Sequence, residues 1–196
     1  MKVIGLTGSF GTGKSFVASI FKAEGAKVLD ADRIAHAAIA KGGRAYRRIV
    51  RAFGRDVLDA SGAIDRRRLA KKDFGNSGAV RRLNRIVHPE VIAFIKKKIR
   101  AAGKDETIII DAPLLVEAGL TGLVDKLVVV KCGRKHQIDR SAKKFGIQKE
   151  DVLRRIESQA SLAAKIKLAD FVVDNDGPRS RTKAQVNKIR RQIIWK

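Results

Sequence analysis

An α/β fold, with a five-stranded parallel sheet flanked by helices, is predicted by three observations. Short runs rich in Val, Ile and Leu alternate with longer segments of helical period. The runs are near-continuous, as strands buried on both faces are. The first of them flows into a glycine-rich loop and then a helix. The predicted strands are Lys2 to Thr7, Ala26 to Leu29, Thr107 to Asp111, Lys126 to Lys131 and Phe171 to Asp174. A helix from Phe16 to Glu24 joins the first two. Between the second and third lie about eighty residues, too many for a simple crossover and largely helical in pattern, so a helical insertion is expected there. Within it Pro89 suits the N-terminus of a helix that sets Val91, Ile92, Ile95 and Ile99 on one face, with Lys96, Lys97, Lys98 and Arg100 on the rest. A second helical excursion, from Arg134 to Leu168, turns at Gly146, and a last helix follows Gly177-Pro178.

Composition narrows the class. The 196 residues carry 43 Lys+Arg against 20 Asp+Glu, a formal charge of +23, and an excess of that size points to anionic partners. Apolar residues make up 44% and are spread along the chain, which argues against disorder. Apolar runs such as Ile108 to Ile110 and Leu127 to Val130 fall far short of the roughly 18 residues a bilayer crossing needs, so no membrane partner is expected. Met1 leads straight into a strand-like run without the features of a secretory signal, and a cytoplasmic protein is expected. The single cysteine, Cys132, has no internal disulfide partner and reads as a small strand-end side chain.

The segment Gly8-Ser9-Phe10-Gly11-Thr12-Gly13-Lys14-Ser15 satisfies G-x-x-x-x-G-K-[ST] between a strand and a helix. Glycines let the backbone curl so that consecutive N–H groups converge, and the helix adds its positive end, which together suit a polyphosphate. In that geometry Lys14 bridges the β- and γ-phosphates of a nucleotide and the Ser15 hydroxyl ligates Mg²⁺. The chain lacks the N-K-x-D motif with which GTPases read guanine, and it is small for a motor ATPase. A small ATP-dependent phosphotransferase is the remaining expectation.

The second strand ends in Asp30-Ala31-Asp32, and the carboxyl ends of parallel strands face the crevice that holds the phosphate loop. Asp32 is the candidate base, aligning the attacking hydroxyl and taking its proton late; Asp30 suits a metal-bound water. Asp32 equally suits the cap of the helix through Ile34, Ala35 and Ala38.

Several blocks together resemble the dephospho-coenzyme A kinase family. They are Ile4-Gly5-Leu6-Thr7-Gly8 through Ser15, Asp30-Ala31-Asp32 with Ile34-Ala35-His36, Leu83-Asn84 through His88-Pro89, and Pro113-Leu114-Leu115-Val116-Glu117. Gln137 and Arg140, Arg155-Ile156 with Gln159, and Ala169-Asp170 with Asn175 and Gly177 continue the match, which spans nearly the whole chain. The resemblance implies transfer of the ATP γ-phosphate to the ribose 3′-hydroxyl of dephospho-CoA, the last step of coenzyme A synthesis. It implies a P-loop NTPase-like core (1–31, 104–133 and 169–196), an acceptor-binding helical region (32–103) and a helical lid (134–168). By it, Asp32 is the catalytic carboxylate, Arg140 the lid arginine, and Asn175 lies beside the nucleotide. His88, Leu115 and Glu117 fall on the acceptor side. Many members carry a second lid arginine where this chain has Lys144. A nucleoside, nucleotide or other small-molecule kinase is the first alternative reading, and a basic nucleic-acid-binding protein with a nucleotide site is the second.

Other candidates carry less. Glu117 equally suits an ion pair with a nearby base. Asp111 ends the third strand, where phosphate-loop proteins often place an acid linked to Mg²⁺. His36, His88 and His136 lie far apart in sequence and make no zinc site. The runs Arg66-Arg67-Arg68, Lys96-Lys97-Lys98 and Arg190-Arg191 read as solvated helix faces, and no specific nucleic-acid partner is expected.

Overall fold

The computed structural model describes residues 1–65, 67–69 and 77–194. Arg66, the first member of one basic run, therefore lies outside the described residues. The chain divides into two compact units, one of Met1–Asp30 with Ala101–Lys196 and the other Ala31–Arg100.

The first unit is a five-stranded parallel sheet of β1 (Lys2–Gly8), β2 (Lys27–Asp30), β3 (Thr107–Asp111), β4 (Lys126–Lys131) and β5 (Phe171–Asp174) in the order β2-β3-β1-β4-β5. The apolar runs become strands because both sheet faces are covered. Ile4, Leu6, Ile109, Val128, Val130 and Val173 all lie in the core. Three strands keep the bounds read from the sequence, while β1 runs one residue further and β2 is displaced by one. Helix α1 (Lys14–Ala23) starts two residues earlier than its periodicity suggests, because its first turn carries the polar end of the phosphate loop. It buries Val17, Ala18, Ile20 and Phe21, and its core neighbours include Val186, Ile189 and Ile193 from the C-terminal helix Arg179–Ile194.

Strand order positions the loop. β1 sits at the centre, with β3 on one side and β4 on the other, so the order reverses beside it and opens a crevice at its carboxyl end. The register sets Leu6 opposite Asp111, Gly8 opposite Val130, Asp30 opposite Asp111 and Lys131 opposite Asp174. The four polar strand ends therefore share the edge from which the loop leaves.

The second unit is helical, with α2 (Ala31–Ile39), α3 (Tyr46–Phe53) and the long α4 (Ser77–Arg100) around Ile49, Phe53, Val57, Ile86, Val87, Val91 and Ile95. The helix containing Pro89 does not begin there. It starts at Ser77 and carries Pro89 in its interior, where the ring cannot donate to the carbonyl of Arg85. Sequence alone favoured a start because proline is well tolerated in a first turn, yet Ile86 and Val87 before it are as buried as Val91 after it. Burial on both sides of Pro89 outweighs one missing hydrogen bond. Arg48 reaches Glu90 at 3.4 Å and Arg82 donates to the carbonyl of Ala52 at 3.2 Å, tying α3 to α4.

Candidate active site

The phosphate loop is wound by its own backbone. The Thr12 hydroxyl donates to the Ser9 carbonyl at 2.9 Å, and the N–H of Phe16 donates to the carbonyl of Gly13 at 3.0 Å, opening α1. Gly13 caps that helix at φ 88°, ψ 26°, a left-handed conformation that costs a residue with a Cβ about 1–2 kcal/mol. The first turn of α1 holds no acidic residue, so nothing in it offsets the positive helix end where Lys14 and Ser15 stand. Lys14 is half-buried and Ser15 exposed.

Three later helices follow β4: α5 (Arg134–Phe145), α6 (Lys149–Glu157) and α7 (Leu162–Lys167). Helix α5 and the turn after α6 supply groups that hold the loop. Gln137 donates from Nε2 to the carbonyl of Phe10, while the N–H of Phe10 donates to Gln159 Oε1 at 2.8 Å. Both polar groups of one loop peptide residue are thereby fixed by side chains. Buried Ser141 lies so close to Gly11 that a Cβ there would stand 1.9 Å from its hydroxyl oxygen. A Cβ on Gly13 would stand 2.1 Å from Asn175 Nδ2 and 3.5 Å from an Arg140 guanidinium nitrogen. Asn175 donates from that amide to the carbonyl of Thr12 at 2.8 Å and accepts from Thr182 at 3.0 Å, so its side chain braces the loop from beneath.

Arg140 is exposed. Burial pushes the pKa of the Cys132 thiol up, although the Arg140 cation acts to lower it. The carboxyl of Asp176 lies below its ordinary value, chiefly through its hydrogen bond with His136, and Arg140 adds to the effect. His136 is therefore a partner of Asp176, not a lone surface imidazole. Lys144 places its ammonium 5.2 Å from the ring centroid of Phe145.

The Pro-Leu-Leu-x-Glu block divides. Leu115 is fully buried, packed where Gly5 of β1 has no side chain. Its side chain belongs to the core under the site. Glu117 pairs at 2.9 Å with Lys165 and accepts from the N–H of Ala160 at 2.9 Å. Lys165 is wholly buried and also donates to the carbonyl of Pro113 at 2.7 Å, which accepts from the Thr7 hydroxyl as well. Sequence reasoning missed Lys165 because nothing distinguishes it from the many lysines around it.

In the helical unit, Asp32 is exposed in the first turn of α2, one residue inside the helix, and not at the capping position. His88 lies within α4, half-buried, with its pKa lowered by burial. Asp30 and Asp111 pair across β2 and β3 at the edge where the loop leaves. Among the described residues no group of three or more His, Cys, Asp or Glu gathers as a metal centre would.

The sequence model of the family described as "Dephospho-CoA kinase" matches residues 2–180. The chain is 40% identical to a dephospho-CoA kinase of Carboxydothermus hydrogenoformans, covering 100% of this chain and 96% of that protein. It is 42% identical to one of Bacillus licheniformis over 95% of this chain and 94% of that protein. Among solved structures, TT1252 from Thermus thermophilus superposes with a TM-score of 0.85 at 29% identity, covering 96% of this chain and 95% of that one.

Proposed function

Because the chain belongs to the dephospho-CoA kinase family, we propose that it transfers the γ-phosphoryl group of ATP to the ribose 3′-hydroxyl of dephospho-CoA, giving coenzyme A and ADP. The observation that carries this reading is the match over residues 2–180, which takes in both the phosphate loop and the acceptor blocks. The 3′-oxygen attacks the γ-phosphorus as the bond to the β–γ bridging oxygen breaks. ADP leaves with that oxygen and the hydroxyl proton passes to a base.

Each step has a residue in this reading. The loop N–H groups from Gly11 to Ser15 and the Lys14 ammonium bind the phosphates, and Arg140 meets the charge spreading over the transferring group. Asp32 orients the hydroxyl and accepts its proton late, since a loose transition state needs little early deprotonation. Residues 32–103 form the acceptor-binding part and 134–168 the lid, with His88 and Glu117 on the acceptor side. Asn175 supports nucleotide binding through the loop it braces. Ser15 suits Mg²⁺, being an exposed hard oxygen donor in a first turn without a competing carboxylate. Bound there with the nucleotide, the ion would neutralise charge between the β- and γ-phosphates. An enzyme drawing on ATP and dephospho-CoA works in the cytoplasm. No described helix is long and apolar enough to cross a membrane.

The test is an acceptor panel. With ATP and Mg²⁺, the purified protein should convert dephospho-CoA to coenzyme A far faster than it phosphorylates adenosine, AMP or shikimate. Equal or better turnover of any of these overturns the assignment.

A further inference from the structure

Helix α5 lies against the phosphate loop along one line. Residues 137, 141 and 145 are each four apart, so they advance by only about 40° around the helix and share a face. Gln137 holds the carbonyl of Phe10, Ser141 adjoins Gly11, and the ring of Phe145 stacks on that of Phe10 with centroids 5.2 Å apart and planes 30° from parallel. Arg140 sits between these attachments, about 4.5 Å along the axis from Gln137 and about 7.5 Å from Phe145. Phe145 is the last residue of the helix and is 47% exposed, so it is no part of the core. The guanidinium of Arg155 from α6 stands over the Phe10 ring at 5.2 Å, and the Lys144 ammonium over the Phe145 ring at the same distance.

We infer that Phe145 is a positioning residue for the transfer step: its stack on Phe10 is the last of three contacts along α5 that fix where the helix carries Arg140 relative to Gly13. The inference rests on the proposed reaction for its kinetic readout. Without the stack, α5 keeps Gln137, Ser141 and the His136–Asp176 pair, but its last turn, ended by Gly146, is free to fray and loosens the turn that follows Arg140. With the stack in place, the stretch of helix that carries Arg140 is held on both sides. The stack itself touches no substrate. Its effect reaches the reaction through the orientation of the guanidinium, which matters most when charge spreads over the transferring group.

A double-mutant cycle tests this. Phe145→Ala should lower kcat about tenfold while the KM for ATP changes less than about twofold, with the melting temperature held. Phe145→Tyr, which keeps the ring, should retain at least about half of the wild-type kcat. In the Arg140→Ala background, adding Phe145→Ala should cause no further loss. A structural arm needs no acceptor: amide hydrogen exchange across residues 134–145 should quicken in Phe145→Ala. An unchanged kcat, independent losses that multiply in the double variant, a Tyr variant as poor as Ala, or unaltered exchange would each overturn the positioning role. Should the wild-type protein leave dephospho-CoA untouched, the proposed reaction falls and the exchange measurement still judges the stack.

Discussion

An Arg140 guanidinium nitrogen lies 3.5 Å from the point that a Cβ on Gly13 would occupy, and Asn175 Nδ2 lies 2.1 Å from that same point. One glycine thus admits both the brace beneath the loop and the cation beside it. Gly13→Ala should destabilise the fold by at least about 1 kcal/mol through its φ of 88°, and it must also displace Asn175. ATP affinity should fall on the order of tenfold or more, read by calorimetry, with thermal melting reporting the stability change. Normal affinity in a folded variant would dismiss the close approach as a constraint on the loop.

Asp32 belongs to the helical unit and is exposed, so replacing it leaves the core untouched. Asp32→Asn should keep the melting temperature and ATP affinity while lowering kcat by roughly 10² to 10⁴-fold. Pre-steady-state measurement of coenzyme A formation checks it. A near-normal rate would assign the proton to another group.

The pair of Glu117 with buried Lys165 predicts an asymmetry. Glu117→Gln leaves an ammonium without its counter-charge in a wholly buried site, and urea denaturation should show a loss of about 3 kcal/mol. Lys165→Met removes the buried charge and leaves a partly exposed carboxylate still hydrogen-bonded to Ala160, so its loss should be smaller. If the order is reversed, the buried charge is not what makes the pair important.

Acid sensitivity has a specific source in Asp170. Partial burial raises the pKa of its carboxyl, but the Lys126 ammonium at 2.7 Å and the Leu127 N–H at 2.8 Å outweigh it and hold the value below 3.8. A group whose pKa is depressed in the folded state contributes stability that is present above its unfolded value and is lost as pH falls through its folded one. The stability gap between wild type and Asp170→Asn should therefore be constant above about pH 5 and close below about pH 4. Denaturation curves across that range measure it, and a gap that widens on acidification would reverse the sign.

Much of this was legible in the sequence for a physical reason. Ile108 to Ile110 and Leu127 to Val130 announce strands because a sheet covered on both faces tolerates little else, and the loop motif announces itself because converging amides require glycine at set positions. Pro89 misled because a proline's local preference says nothing of the burial on either side of it that sustains a helix through it. The alignment of Gln137, Ser141 and Phe145 along α5 was present as a spacing of four, but its meaning depends on a loop more than a hundred residues earlier. Lys165 was illegible for the opposite reason: in a chain with 43 basic residues, a buried one carries no local mark.

The place of β1 at the middle of the sheet shapes how the molecule must be made. It is made before its register partners, which begin at Thr107 on one side and Lys126 on the other. Until those segments emerge, Val3, Ile4 and Leu6 have no strand to join, while the whole of the helical unit is synthesised in the interval. Such distant pairings slow folding and leave an apolar segment without its neighbours until they are made.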